Sequence, residues 1–396
     1  MLIGLVGKPS VGKSTTFKAL TMAEVDIAPY PFTTIKPNRG FGYIRVECID
    51  KEFGMQCTPR VGYCKGGIRF VPVELLDVPG LIEGAHEGQG MGNQFLDSLR
   101  MADCFIHVVD ISGSTDIKGN PSVAGTNDPA NDIRMLDREL DMWYYGILEK
   151  NWEKFVRSVK ASKIHPAREI AKQFSGIGVT EDEVKEIMKN LILEEDLTKW
   201  NEERLKLFAR QLRINTKPMI IAANKVDVPG ALEILERVSN EFPEYSFIPC
   251  SAESELALKE AAKKGLIEYV PGSSTFKIVE ESKLNEQQLR ALKFIQNILG
   301  RFGSTGCEEI INTAVFKLLK YKAIFPGGEK MMDSEGRIMP DCFLLPEKTT
   351  ALDFAYKLHT DLGKGFIKAI DIRTKKTIAK DQILENRSVV QIVSSK

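Results

Sequence analysis

The residues best suited to chemistry lie at the start of the chain, in a motif of the form GxxxxGK[ST]. They are Gly7, Lys8, Pro9, Ser10, Val11, Gly12, Lys13 and Ser14, followed by Thr15. The motif follows an apolar run at residues 2–6 and opens a helical pattern at 13–20, the context in which it cradles phosphates. Backbone amides and the helix N-terminus would face the phosphates, Lys13 would reach them with its ammonium group, and the Ser14 hydroxyl would bind Mg²⁺.

An acidic residue ends a second apolar run. Asp77 follows residues 71–76 and begins the sequence Asp-Val-Pro-Gly, which ends at Gly80. In a parallel α/β sheet, a strand end delivers such a carboxylate to the edge where ligands bind. We expect Asp77 to hold Mg²⁺ through water and the Gly80 amide to contact the γ-phosphate of a nucleotide. An Asp-x-x-Gly turn is common by itself, so this assignment depends on its place after the phosphate motif.

A third polar group follows the apolar run at residues 218–223 and contains Asn224, Lys225 and Asp227. A carboxylate here can accept hydrogen bonds from N1–H and the exocyclic amine of guanine, a pair that adenine does not offer. We expect Asp227 to select guanine, Asn224 to tie the motif to the phosphate loop, and the Lys225 stem to cover the base. After the last apolar run, the segment with Ser251 and Ala252 would supply a backbone amide for guanine O6.

These four groups stand in the order of a G domain of the translation-factor class of GTPases. Between them, residues 30–34 (Tyr-Pro-Phe-Thr-Thr) and the run 77–96 resemble the Obg family of GTPases. The insertion before Asn224 and the C-terminal run 352–359 resemble its YchF-type (Obg-like ATPase) branch. That branch ends in a ubiquitin-like TGS domain, so the resemblance implies this fold for the C-terminal segment.

The resemblance also assigns roles that spacing alone does not. Thr34 would be the switch I ligand of Mg²⁺ and the γ-phosphate, with Thr33 as the alternative. After Gly80, where many GTPases have a glutamine that orients water, the chain has Leu81, whose side chain cannot hydrogen-bond. The resemblance nominates His86 as the group that positions the attacking water, and the alternative is a solvated loop histidine.

Two residues depart from the pattern of the YchF-type branch. Members of the branch commonly replace the guanine-selecting aspartate and bind ATP, but Asp227 is present here, so we expect GTP. The branch commonly has asparagine at the position of Ser10, where it helps to bind K⁺. A potassium requirement therefore stays open.

Taken together, the motifs predict an enzyme that binds GTP with Mg²⁺ and hydrolyses it slowly to GDP and phosphate as a molecular switch. The resemblance implies the ribosome or its RNA as the partner, contacted through the TGS and helical domains. Two alternatives remain: an ATPase of the same architecture, and a ribosome- or RNA-binding adaptor in which nucleotide only stabilises the fold. We expect no DNA partner, no membrane partner, a monomer and a cytoplasmic location.

The elements that position these groups are short apolar runs alternating with helical patterns, which is typical of a parallel sheet. We expect an α/β fold with a doubly wound, mainly parallel sheet whose strands fall at residues 2–6, 71–76, 105–109, 218–223 and 247–249. The 113 residues between Asp110 and Asn224 exceed one crossover and contain amphipathic helical patterns. They predict a helical insertion that serves either packing or partner docking.

Composition changes along the chain suggest the domain bounds. We expect a P-loop NTPase G domain at residues 1–127 and 213–322, a helical insertion at 128–212, and a TGS-like β-grasp domain at 323–396. Residues 254–320 are expected to be helical, notably at 286–299. The run Pro326-Gly327-Gly328 then punctuates the chain, and short strands around a helix at 352–361 should follow.

The composition excludes several classes of protein. The 54 Lys and Arg residues balance 54 Asp and Glu residues, so the chain is neither a strongly basic nucleic-acid binder nor an acidic tail protein. The first residues predict a strand rather than a targeting leader, and no apolar run approaches the ~20 residues of a membrane helix. Seven cysteines are too few for a disulfide scaffold.

Two further groups have alternative interpretations. Cys48, Cys57 and Cys64 could form a metal cluster, but their spacing misses the usual zinc pattern, so we expect free thiols. Basic residues between 364 and 380, opposed only by Asp371, form either a stripe for RNA phosphates or a solvated surface. These basic residues are Lys364, Lys368, Arg373, Lys375, Lys376 and Lys380.

Overall fold

The computed structural model of the chain describes residues 1–22, 38–80, 84, 100–162, 164–328 and 330–395. The chain divides into two compact units. The first comprises Met1–Lys18, Pro37–Gly40 and Glu74–Glu253, and the second comprises Ala19–Lys36, Phe41–Val73 and Ser254–Lys396. In the described part of the chain, no helix combines the length and the apolar character needed to cross a membrane.

A largely parallel sheet forms the centre of the first unit. Among the described residues, the first strands are β1 (Leu2–Val6), β2 (Arg39–Glu47), β3 (Tyr63–Lys65), β4 (Ile68–Asp77), β5 (Cys104–Asp110), β6 (Met219–Asn224) and β7 (Phe247–Pro249). The sheet has the order β2-β4-β1-β5-β6-β7, and β2 and β4 continue into the second unit, where β3 pairs antiparallel with β4. The register sets Leu5 beside Asp77 and Asp110 beside Asn224. Polar residues at the strand ends therefore meet at one edge.

Among the described residues, helices follow several of these strands. They are α1 (Lys13–Thr21), α2 (Ala130–Glu149), α3 (Trp152–Ser162), α4 (Pro166–Gln173), α5 (Glu181–Asn190), α6 (Glu202–Thr216), α7 (Ala231–Glu241) and α8 (Ala252–Lys263). Helices α2 to α6 occupy the long segment between β5 and β6, so the expected helical insertion is present. Helix α5 begins with a capping box, in which the amide of Glu183 donates to Thr180 and the amide of Thr180 donates to Glu183.

The second unit contains a β-hairpin that the sequence pattern did not predict. Strands β8 (Ile267–Tyr269) and β9 (Phe276–Ile278) pair antiparallel within the segment expected to be helical, so that expectation was wrong here. They pack in one cluster with Leu258 and Leu292. Three-residue strands are too short to establish an alternating pattern. The rest of the segment contains α9 (Glu286–Phe302), α10 (Cys307–Asn312) and a π-helix (Thr313–Leu318).

The C-terminal part of this unit is a mixed sheet packed against a helix. Its elements are β10 (Tyr321–Pro326), β11 (Phe343–Pro346), α11 (Ala351–Leu358), α12 (Thr360–Lys364), β12 (Phe366–Asp371), β13 (Thr377–Ile378) and β14 (Val389–Ser394). The strand order is β11-β10-β14-β12-β13, with β10 and β14 parallel. Phe354 of α11 is buried against Ile324 and Ala369. This β-grasp arrangement confirms the expected fold class.

Candidate functional site

The phosphate motif forms a turn between β1 and α1. Gly7 and Gly12 have φ angles of 155° and 94°, which favour glycine. A Cβ atom on Gly12 would lie 2.2 Å from Asn224 Nδ2, so only glycine admits that side chain at this distance. The turn and Gly80 line a cavity of 390 Å³. The lining residues are Lys8, Pro9, Ser10, Gly12, Lys13, Ser14, Thr15 and Gly80.

Asp77, at the end of β4, contacts both reactive side chains of the motif. Lys13 Nζ forms an ion pair with Asp77 Oδ1, and Ser14 Oγ donates to Asp77 Oδ2 at 3.3 Å. A hydroxyl and a carboxylate oxygen are ligand types that Mg²⁺ prefers. The two side chains are close enough that they would both contribute to holding one ion. The residues present therefore fit a magnesium ion.

Lys8 belongs to the same motif, but its ammonium group is buried at the start of α2. Its Nζ lies 2.9 Å from Asp132 Oδ2 and donates to the Thr115 carbonyl oxygen at 3.0 Å. Burial raises the pKa of Asp132, and the positive charge of Lys8 opposes that rise. The side chain of Lys8 therefore binds Asp132 and Thr115, so only its backbone amide would be available to a phosphate.

Asn224 joins the phosphate loop to the segment after β7. Its Nδ2 donates to the Val11 carbonyl oxygen at 2.9 Å, and its Oδ1 accepts from the Ala252 amide at 3.0 Å. Asn224 is only 3% exposed, so the loss of either bond would leave a buried backbone group unpaired. The Ala252 amide already donates to Asn224, so an amide that contacts guanine O6 would have to come from another residue of this segment. Ser251, the residue before Ala252, is also buried.

The group after β6 contains a carboxylate oxygen that nothing in the described chain satisfies. Asp227 Oδ1 is buried and accepts no hydrogen bond from the described residues. A buried oxygen in this state can accept a hydrogen bond from a partner outside the described residues. Lys225 has a φ of 63°, and its Nζ donates to Asp110 Oδ2 at 2.8 Å. The side chain expected to cover the base is therefore held by Asp110.

Asp110 was not among the predicted site residues. It ends β5 and accepts from Lys225 and from three hydroxyl groups that follow it in the chain. The hydroxyl donors are Ser112, Ser114 and Thr115. Burial raises the pKa of Asp110, but the hydrogen bonds from Lys225 and Ser112 outweigh burial and lower that pKa below its usual value. An acidic residue at the end of an apolar run, the signal that identified Asp77, could have identified Asp110.

The switch residues are only partly covered by the structure. Thr33, Thr34, Leu81 and His86 lie outside the described residues. Gly80 lies beside the phosphate loop, where an added Cβ would be 3.3 Å from Pro9 Cγ. The Gly84 amide donates to Glu139 Oε1 of α2 at 2.9 Å, and Glu139 is buried. Glu139 thus anchors Gly84, within the run 77–96 that resembles the Obg family, by a contact that no sequence motif indicates.

Three family models match this chain. A 50S ribosome-binding GTPase model matches residues 2–144, the Obg-like GTPase YGR210-like, G4 motif-containing domain matches residues 222–328, and a TGS domain matches residues 326–394. Their order along the chain is that of the phosphate motif, the base motif and the β-grasp fold.

Relatives extend over the whole chain. An uncharacterized GTP-binding protein of Methanocaldococcus jannaschii is 48% identical over 100% of this chain and 99% of its own length. The ribosome-binding ATPase YchF of Mycoplasma genitalium is 28% identical over 98% of this chain and 90% of its own. A crystal structure of a GTP-binding protein from Pyrococcus horikoshii is 40% identical, covers 100% of both chains and superposes with a TM-score of 0.80. The chain therefore belongs to the Obg-like family of P-loop NTPases, in its YchF-type branch with a C-terminal TGS domain.

Proposed function

We propose that this chain binds GTP with Mg²⁺ and hydrolyses it slowly to GDP and phosphate as a molecular switch. The observation that carries the proposal is the buried carboxylate oxygen of Asp227, which accepts no hydrogen bond from the described residues and follows Asn224 closely in the chain. Asn224 binds the phosphate loop at Val11, and three residues later Asp227 Oδ1 is buried without a partner among the described residues. Asn224 thus ties the phosphate loop to the segment that contains Asp227, and this link supports a single site for the phosphates and the base of a nucleotide.

Asp227 supports guanine rather than adenine. Guanine offers a carboxylate two N–H groups, whereas adenine has no donor at these two positions. The relatives carry both kinds of name, since that of M. jannaschii is a GTP-binding protein and that of Mycoplasma genitalium is an ATPase. We assign GTP because the residue that discriminates between the bases is an aspartate.

Hydrolysis at this cavity would depend on position and charge rather than on a covalent intermediate. Lys13 is paired with Asp77 in the structure, and we propose that its ammonium group moves to the β- and γ-phosphate oxygens when nucleotide binds. Ser14 and Asp77 would hold Mg²⁺, which neutralises phosphate charge when bound. The phosphates would then replace Asp77 as the partner of Lys13, and Mg²⁺ would replace Lys13 as the partner of Asp77.

The switch residues complete the proposal. Gly80, beside the phosphate loop, would donate its amide to the γ-phosphate. From the family resemblance, Thr34 would bind Mg²⁺ and His86 would position the attacking water. Because Leu81 cannot orient water, intrinsic turnover should lie well below the enzyme median of about 10 s⁻¹.

Binding calorimetry of the full chain with Mg²⁺ tests the choice of base. We expect GTP to bind more tightly than ATP, and Asp227→Asn to weaken GTP binding by at least about 100-fold. The variant should gain affinity for xanthosine triphosphate, because an amide can donate to the carbonyl that replaces the guanine amine. Asp182→Asn, at an exposed position of α5, is the matched control and should change neither affinity. Tighter binding of ATP, or an unchanged GTP affinity in Asp227→Asn, would favour the ATPase alternative.

We also propose the ribosome as the partner. The relative from Mycoplasma genitalium is named a ribosome-binding ATPase, and the model that matches residues 2–144 describes a 50S ribosome-binding GTPase. In the C-terminal domain, which we propose spans residues 323–396, exposed lysines offer a surface for RNA phosphates. These lysines are Lys364, Lys368, Lys375, Lys376 and Lys380. Arg373 of the same stripe instead forms an ion pair with Glu52 at 2.7 Å.

Cosedimentation with ribosomes distinguishes a switch from an adaptor. A switch predicts different ribosome affinities with GDP and with a non-hydrolysable GTP analogue, whereas an adaptor predicts equal affinities. Replacing Lys375 and Lys376 by glutamate should weaken binding and reduce its salt dependence. The control replaces two exposed lysines outside the stripe, Lys277 and Lys293, and changes the net charge equally. Equal losses from both pairs would refute a specific role for the stripe.

A further inference from the structure

Three cysteines and an aspartate converge in the second unit, in residues that the nucleotide site does not use. Cys48 follows β2, Asp50 begins a 3-10 helix, Cys57 lies in the next loop, and Cys64 lies in β3. One ligand atom from each residue lies within 4.8 Å of the other three. From spacing alone we expected free thiols. The path of the chain after β2 brings these four residues together although they are separated by up to 16 positions in the sequence.

The distances between these atoms match a tetrahedral ion. Cys48 Sγ and Cys57 Sγ are 3.5 Å apart, and Cys64 Sγ is 3.6 Å from Asp50 Oδ2. Zinc held by thiolates at about 2.3 Å in a tetrahedron separates two sulfur atoms by about 3.8 Å. An iron–sulfur cluster requires wider spacing between some of its ligands, because they bind different iron atoms. The geometry therefore fits one ion rather than a cluster.

Three of the four residues are buried and Cys64 is half-buried, and a positively charged side chain lies close to them. Cys48, Asp50 and Cys57 are 4%, 2% and 4% exposed. The buried Arg69 guanidinium interacts electrostatically with Cys48 and Cys57, and it donates to the Met339 carbonyl oxygen at 2.7 Å. Grouped anions are costly away from water unless a cation pairs with them. A divalent ion together with Arg69 would neutralise most of the negative charge of three thiolates and one carboxylate.

We propose that Cys48, Asp50, Cys57 and Cys64 bind one structural Zn²⁺ ion. Sets rich in thiolate select zinc over Mg²⁺ and Ca²⁺, which prefer oxygen ligands. Four protein ligands close the coordination sphere and leave no position for a reacting water, which makes the role structural.

The zinc loop, defined as residues 48–64, also carries contacts to the C-terminal segment. The Thr58 amide donates to the Ile338 carbonyl oxygen at 2.8 Å, and the Ile338 amide donates to Thr58 Oγ1 at 2.6 Å. Glu52 forms an ion pair with Arg373 at 2.7 Å. Ordering the zinc loop would therefore also order residues 330–341.

Metal analysis of the full-length, untagged chain, purified without chelators and without oxygen, tests the proposal. Inductively coupled plasma mass spectrometry should find about one zinc ion per chain. Each of Cys48→Ser, Cys57→Ser and Cys64→Ser should lose most of it, while Cys342→Ser, a cysteine of the same unit outside the four, should retain it. Substitution by Co²⁺ should produce thiolate charge-transfer absorption and the strong visible bands of a tetrahedral site.

Several results would overturn the proposal. They are a wild-type chain that stays free of metal after anaerobic incubation with zinc, a disulfide between Cys48 and Cys57 in cells alkylated at lysis, and equal zinc loss in Cys342→Ser. The wild-type metal content and cobalt spectrum decide the matter even if a serine variant fails to fold. Removal of zinc should also raise hydrogen exchange in residues 330–341 but not in α5, which lies in the first unit.

Discussion

Gly12 is the point where the phosphate loop and Asn224 pass most closely, so Gly12→Ala tests the clamp that joins the two halves of the proposed site. The added Cβ would lie 2.2 Å from Asn224 Nδ2, at a φ of 94°. Asn224 must withdraw, and its bonds to Val11 and Ala252 must then break. The substitution therefore acts mainly through a residue more than 200 positions away in the chain.

The expected cost follows from these contacts. Each buried backbone group left unpaired costs about 1–3 kcal/mol, and alanine at this φ adds about 1–3 kcal/mol. We expect Gly12→Ala to lower the free energy of unfolding by about 3 kcal/mol or more. Asn224→Ala loses the same two bonds, so in the double variant their cost is counted once. The double variant should therefore lose less unfolding free energy than the sum of the two single losses, and the difference should be about 2 kcal/mol or more.

Denaturant titrations of the wild type, both single variants and the double variant measure this coupling. Gly178→Ala is the control for backbone strain, because Gly178 has a φ of 85° and an added Cβ there meets no atom within 4 Å. It should cost only the strain and show no coupling to Asn224→Ala. If Gly12→Ala and Asn224→Ala add to within about 0.5 kcal/mol, the clamp is not the route by which Gly12 matters.

Three further substitutions test other contacts of the first unit. Lys8→Met leaves the Asp132 carboxylate buried without its cation and should lower the unfolding free energy by about 3–5 kcal/mol at neutral pH; adding Asp132→Asn should restore part of the loss in the same titration, and no restoration would contradict the pairing. Lys225→Met removes a hydrogen bond that lowers the pKa of Asp110 in the folded chain. Because that stabilisation is present above the unfolded pKa and lost as the pH falls below about 4, the variant should be less stable than wild type at pH 7 and the difference should shrink in acid. Thr180→Ala removes the cap of α5 and should cost about 1 kcal/mol, whereas Thr180→Ser should cost less; thermal unfolding of both variants measures this, and equal melting temperatures would contradict the capping role.

Strands buried on both faces were predictable from the sequence. The strands β1, β5 and β6 are buried along their full length and are apolar except for His107 and the polar end residues Asp110 and Asn224, so their expected and observed ends nearly coincide. Strand β4 begins earlier than expected because Arg69, a charged residue, interrupts the apolar pattern although it is itself buried. The fold class and the family were confirmed, while the chemical roles of the site residues stay predictions.

Other features depend on contacts between distant residues, which spacing does not contain. In the β8–β9 hairpin, Glu268 and Lys277 occupy the strand centres, so each strand has only two apolar residues and shows no apolar run in the sequence. The partner of Lys8 lies in α2, more than 100 residues away in the chain. The ligand spacing in the zinc loop follows from a turn, a 3-10 helix and a hairpin rather than from one regular element. Each case required the three-dimensional path of the chain.

Lys8 and Lys13 show why a motif alone does not define a site. The pair of Lys8 with Asp132 is buried, and separating it would leave an uncompensated charge with no replacement at hand. The pair of Lys13 with Asp77 borders the cavity, where a triphosphate can take the ammonium group and Mg²⁺ can take the carboxylate. Nucleotide alone would leave Asp77 facing phosphate, and metal alone would leave Lys13 facing a cation. If the proposed function is right, charge balance would therefore favour binding of nucleotide and Mg²⁺ together, and Lys13 rather than Lys8 would change its partner when they bind.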